Sequence, residues 1–77
     1  MFDGRLETFI RVAECGSFTK AADDLFVTPT AVMKQINALE KELSVALFAR
    51  TNHGLRITKA GESFLQDARY KIGRAHV

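Results

Sequence analysis

The chain has one cysteine, one proline and no tryptophan among its 77 residues. A lone Cys15 cannot close an internal disulfide, and no Cys/His set has the spacing of a zinc site. A reduced, cytoplasmic setting is the simplest inference. No apolar run approaches the length of a membrane span. Residues 1–20 contain Asp3, Arg5, Glu7, Arg11 and Glu14, which excludes a secretory signal there. Catalytic machinery is equally scarce. There is no glycine-rich phosphate loop, and Cys15 with His53 lacks a partner acid. Glu40 and Glu42 point in different directions from one helix, and Asp23-Asp24 reads as a solvated corner. The chain is therefore not expected to be an enzyme, and no metal or cofactor is expected. Charge of one sign is also in short supply, with a net of only +2. Residues 1–40 carry four Lys/Arg against six Asp/Glu (−2), and residues 41–77 carry seven against three (+4). A basic second half suits phosphates, but so small an excess decides little.

What is present is a chain 47% apolar with clear periodicity, which argues for one small globular domain rather than disorder. A core of this size is marginal without a disulfide, a metal or a partner chain. From Asp3 to Cys15, Leu6, Phe9, Ile10 and Ala13 fall on one side of a helix, and Gly16 suits a left-handed C-cap. Ser17 is a candidate N-cap for a shorter helix, Phe18 to Leu25, with Phe18, Ala21, Ala22 and Leu25 inward. The small Ala21-Ala22 pair lets another helix approach closely. Phe26-Val27 forms a tight apolar connection. Thr28 then caps a third helix with Pro29 at its first position, where a missing N–H costs nothing.

This third helix, Thr28 to Leu43, organises the rest. Val32, Ile36, Leu39 and Leu43 make its buried seam. Its opposite stripe, Thr30, Met33, Lys34, Asn37 and Lys41, holds no acid. Such a front either meets water or enters a groove of DNA. Two helices joined by about three residues form a helix-turn-helix. After the link Ser44-Val45-Ala46, residues Leu47–Thr51 and Leu55–Thr58 read as short strands around the loop Asn52-His53-Gly54. Together they make a β-wing. Thr58 caps a last helix from Lys59, with Ala60, Phe64, Leu65 and Ala68 on one face. Gly61 in its first turn costs about 1 kcal/mol against alanine, so something is expected to pack closely there. The fold expected is mainly helical with a small wing, a winged helix-turn-helix.

The run Leu6-x-x-Phe9-x-x-Val12-Ala13-Glu14-x-Gly16-Ser17-Phe18-Thr19-x-Ala21-Ala22-x-x-Leu25-x-Val27-Thr28 resembles the amino-terminal domain of LysR-type transcriptional regulators. So do Ala31-Val32-x-Lys34-Gln35-Ile36-x-x-Leu39-Glu40-x-Glu42-Leu43-x-Val45-x-Leu47-Phe48-x-Arg50 and Leu55-x-Ile57-Thr58-x-Ala60-Gly61. The resemblance covers residues 2–68 in one register. It implies a bacterial, nucleoid-associated regulator that binds promoter DNA as a dimer. Residues 1–58 would be the winged helix-turn-helix, and 59–70 the start of a linker helix that pairs between subunits through Phe64, Leu65 and Ala68. Any small-molecule effector would bind a carboxy-terminal region that lies outside this chain. Residues 71–77 break the helical pattern and resemble a translated sequencing adapter, so a non-native tail on a truncated gene is expected there.

DNA contacts divide into positioning and reading. Thr28, Pro29 and Thr30 are placed to approach base edges and phosphates at a helix N-terminus. Lys34 is the leading candidate for guanine or phosphate, followed by Met33 and Asn37. Gln35 is read either as a backbone contact or as a bond within the domain. Ser17, Thr19 and Lys20 would hold a phosphate strand, Ser17 also serving as N-cap. Asn52, His53 and Arg56 would enter the minor groove or lie along phosphates. Arg50 either joins them or pairs with Glu40. Against the family pattern, Met33 stands where serine is usual and Ser44 where glycine is frequent. Thr28-Pro29-Thr30 replaces a more usual Ser-Gln-Pro or Ser-Gln-Ser, removing a glutamine suited to adenine. A protein–protein adaptor that keeps the shape and has lost DNA affinity is the competing class, separable by the steep salt dependence of DNA binding.

Overall fold

In the computed structural model, which describes residues 4–71, four helices and one hairpin follow each other as α1 (Gly4–Cys15), α2 (Phe18–Leu25), α3 (Pro29–Leu43), β1 (Phe48–Thr51), β2 (Gly54–Ile57) and α4 (Lys59–Lys71). The helix boundaries follow local chemistry. Gly16 ends α1 at φ 69° and donates its N–H to Val12 O at 2.8 Å. Ser17 caps α2 by accepting from Lys20 N, and Thr28 caps α3 by accepting from Ala31 N, with Pro29 at the first turn. These caps fill donors that the helix cannot satisfy internally. Asp3 lies outside the described residues, as do residues 72–77. Lys71, read from sequence as the first residue of the tail, closes α4.

The three first helices pack on one another around Phe9, Ile10, Val12, Ala21, Ala22, Val32, Ile36 and Leu39, all buried. Ala21 and Ala22 are fully buried, as the close helix crossing requires. The inward stripe of α1 differs from the expected one. Ala13 is only half-buried, while Val12 and Thr8 face inward. Burying Thr8 is tolerated because its hydroxyl donates to Gln35 Oε1 on α3. Gln35 is thus occupied within the domain. At the outer end of α3 Leu43 is 36% exposed, so the seam stops at Leu39. Phe26 and Val27 do not form a packed connection, with Phe26 94% exposed.

Both α2 and α3 end on a non-glycine residue in the left-handed region, Phe26 and Ser44, each at φ 60°. Val27 N reaches back to Ala22 O (3.0 Å) and Val45 N to Glu40 O (3.3 Å). These bonds close a Schellman-type C-cap at each end, the usual setting for that conformation.

The wing is shorter than the sequence pattern suggests. β1 and β2 pair antiparallel with Phe48 opposite Ile57, Ala49 opposite Arg56, Arg50 opposite Leu55 and Thr51 opposite Gly54. The turn proper is therefore Asn52-His53, with Gly54 already in the ladder at φ 114°. Leu47 is not in a strand; it is fully buried. Its N–H and that of Phe48 donate to Glu40 Oε2 at 2.7 and 3.2 Å, which ties the start of the wing to α3. Thr58 is not in a strand either, because it caps α4. Its hydroxyl donates to Ala46 O (2.6 Å) and accepts from Gly61 N (2.9 Å). Gly61 is where the wing and α4 meet: a Cβ there would stand 2.3 Å from Leu47 O and 2.7 Å from Ile57 Cγ1. That contact explains a glycine in a helix.

A chain of rings joins these parts. Phe9 of α1 packs on Phe64 of α4 (5.2 Å) and on Phe48 of β1 (5.4 Å), and Phe48 meets Phe18 of α2 edge-on at 6.3 Å.

Candidate nucleic-acid interface

Where α2, α3 and the wing converge, an open groove of about 420 Å³ is left. Gly16, Ser17, Phe18 and Thr19 form one wall, Pro29 and Met33 another, and Arg50, Thr51, Gly54 and Leu55 the third. Each wall has a local cause. The α2 wall is held by the Ser17 cap, and Pro29 and Met33 share a face of α3 because they lie four residues apart. In the hairpin, Phe48, Arg50, Leu55 and Ile57 share one side of the ladder, so Arg50 continues the core-facing row out to the groove.

Arg50 does not pair with Glu40, whose Oε2 is taken by the Leu47 and Phe48 amides. Its guanidinium lies 5.3 Å from the Phe18 ring centroid, a cation–π stack, and its Nη2 is 3.7 Å from Met33 Sδ. Arg50 thereby bridges the wing, α2 and α3. Its charge has no carboxylate partner among the described residues, and the same holds for Lys20, Lys34 and Arg56. Two acids, Glu42 and Glu14, are engaged elsewhere. Glu42 binds Arg5 at 2.7 Å, and Glu14 holds Arg11 and Arg69.

Of the residues singled out from sequence, Ser17, Thr19, Pro29, Met33 and Arg50 line the groove together. Lys20, Thr28, Thr30, Lys34 and Asn37 are exposed beside it on the two helices. Asn52 and His53 form the exposed tip of the wing. Arg56, opposite Ala49, sits on the other side of the hairpin from Arg50. The turn is braced by Thr51 Oγ1, which donates to Gly54 O (2.9 Å) and accepts from His53 N (3.1 Å). Phe18, expected in the core, is half-buried and also the platform for Arg50. An aromatic directly after an N-cap with an Arg in the following hairpin gives no local signal of that stacking.

On α4, Ala68 is buried in the domain's own core and Phe64 and Leu65 are half-buried against it. Cys15 donates its thiol hydrogen to Asp24 Oδ2 at 3.3 Å. Burial, and then the Asp24 carboxylate, raise the thiol above its ordinary value, the opposite of what a nucleophile needs. No metal-binding cluster of His, Cys, Asp or Glu occurs among the described residues, and none of their helices is long and apolar enough to cross a membrane.

Two helices joined by a tight turn, the second with an exposed polar front beside a cationic hairpin, define a winged helix-turn-helix domain. The chain belongs to the LysR family: residues 4–62 match the bacterial regulatory helix-turn-helix protein, lysR family. It is 46% identical over 65 residues to the HTH-type transcriptional regulator ClcR of Pseudomonas putida, covering 84% of this chain and 22% of ClcR. The chain thus spans about a fifth of the length of that relative, matching only one part of it. Among solved structures, the CbnR DBD–DNA complex superposes with a TM-score of 0.88 at 40% identity, over 95% of this chain and 84% of that one. The BenM DBD/catB site 1 DNA complex gives the same TM-score at 36% identity, over 95% and 82% of the two chains.

Proposed function

We propose that this domain binds double-stranded promoter DNA, with α3 in a major groove and the wing against the neighbouring backbone. The single observation that carries the reading is Arg50. It is stacked on Phe18, bound to Met33 and, among the described residues, unpaired with an acid, so a cation is held ready at the junction of both helices and the wing. Lys20 and Lys34 extend this unpaired charge along α2 and α3. The CbnR and BenM DBDs, at 40% and 36% identity, are both seen with DNA. Ser17, Thr19 and Lys20 position the phosphate strand. Thr28, Thr30, Lys34 and Asn37 present the readable front of α3, and Asn52, His53 and Arg56 give the wing its polar tip and edge. Residues 1–58 act as the reading unit and α4 opens a linker helix that pairs two copies, the outward edges of Phe64 and Leu65 meeting the second chain. Sensing of a small-molecule effector belongs to a region beyond this chain, and the whole regulator works in the cytoplasm on the nucleoid.

Selection of bound duplexes from random DNA, followed by fluorescence anisotropy over a salt series, tests this. A steep inverse dependence of affinity on salt is expected. Lys34→Ala should cost about 1–3 kcal/mol if the lysine grips guanine, or lower the salt slope by about 1 if it grips a phosphate. Binding that ignores salt and this substitution would instead favour a protein-binding adaptor.

A further inference from the structure

The front of α3 is polar except at one place. Pro29 and Met33 line the groove side by side, with Phe18 and Leu55 behind them. The apolar feature that a major-groove base edge offers to such a surface is the methyl group on C5 of a pyrimidine. A free methionine has three rotatable bonds and reads shape poorly. Here the side chain is half-buried and its Sδ lies 3.7 Å from Arg50 Nη2, while the Arg50 guanidinium is itself stacked 5.3 Å from the Phe18 ring centroid. The thioether is thus held by the wing, through an arginine that α2 itself positions, and less freedom is lost when a base packs against it.

We infer that Met33 is a reader of the pyrimidine C5-methyl group, so that at the base pair it faces the domain favours thymine over uracil and 5-methylcytosine over cytosine. The inference rests on α3 being the major-groove helix. It adds a base-edge chemistry that none of the charged residues can supply. A hydroxyl at this position would accept or donate hydrogen bonds and be indifferent to the methyl. The thioether turns the same site into an apolar contact, and DNA methylated at C5 becomes a ligand distinct from its unmodified form.

The test uses the full chain and a duplex obtained by selection from random DNA. Each thymine of the bound site is replaced singly by deoxyuridine, which removes only the methyl group, and affinity is read by anisotropy. One position per half-site should lose about four-fold, the size of one methyl-sized burial. At that position a C·G pair should bind more tightly when the cytosine carries a C5-methyl, by a similar factor. The uracil arm reports the thymine source and the methylcytosine arm the modified-base source. Met33→Ser should abolish both differences, whereas Met33→Leu, which keeps an apolar tip, should retain them. Lys34→Ala should lower affinity and leave the methyl ratio intact. A site with no uracil-sensitive position, or a penalty that persists in Met33→Ser, overturns the inference and leaves DNA binding standing. Failure to select any duplex over random DNA overturns both.

Discussion

Replacing Glu40 by alanine should loosen the wing from the helices. Glu40 Oε2 accepts from Leu47 N at 2.7 Å and from Phe48 N at 3.2 Å, and Leu47 is fully buried. With the carboxylate gone, the amide of the fully buried Leu47 loses its acceptor. An unmade buried donor costs about 1–3 kcal/mol, and a hydrogen bond to a charged group contributes about 1.5–3 kcal/mol. The two overlap for Leu47, and the longer Phe48 bond adds the low end of its range. A loss of about 3 kcal/mol is the reasoned figure. For a domain of this size it corresponds to a fall in melting temperature of roughly 12–24 °C. Glu40→Gln keeps an acceptor oxygen and should lose only about 1.5 kcal/mol, because neutral hydrogen bonds are roughly half as strong. Thermal unfolding followed by circular dichroism reads both. DNA affinity should follow the same order, since Arg50 is carried on the strand that Glu40 anchors. An alanine variant melting within a few degrees of the parent would refute the anchoring role.

Two further substitutions probe the backbone. Gly61→Ala gains about 1 kcal/mol of helix propensity, yet its Cβ would stand 2.3 Å from the Leu47 carbonyl oxygen. Because that atom is backbone, overpacking of roughly 1–3 kcal/mol or more should win, and chemical denaturation should show a net loss; a stabilised variant would disprove the close approach. Ser44→Gly relieves a φ of 60°, worth about 1–2 kcal/mol, against roughly 0.4–1 kcal/mol of added unfolded-chain freedom. A gain of about 0.5–1 kcal/mol is expected in urea titration, and a loss would mean that Ser44 is not strained.

Much of this fold is written in local chemistry. Ser17, Thr28 and Thr58 announce helix starts because a hydroxyl after an apolar stretch has few better uses than capping. Gly16 announces an end for the same kind of reason, and the spacing of Val32, Ile36 and Leu39 names the buried face of α3. The family register then identifies the domain. Other features depend on which elements meet. Leu43 continues the apolar rhythm of α3, yet the buried seam ends at Leu39 and Leu43 stays exposed. Thr8 turns inward because α3 supplies Gln35 to satisfy its hydroxyl. Arg50 and Glu40 are oppositely charged and looked equally ready to pair. Tertiary structure separates them: the amides of Leu47 and Phe48 take the carboxylate, and Phe18 offers the guanidinium a ring. Sequence alone determined the class of protein and the polar front of its third helix. Only the packed structure decided which side chains share the groove, because backbone amides and ring faces compete for the charges and carry no letter of their own.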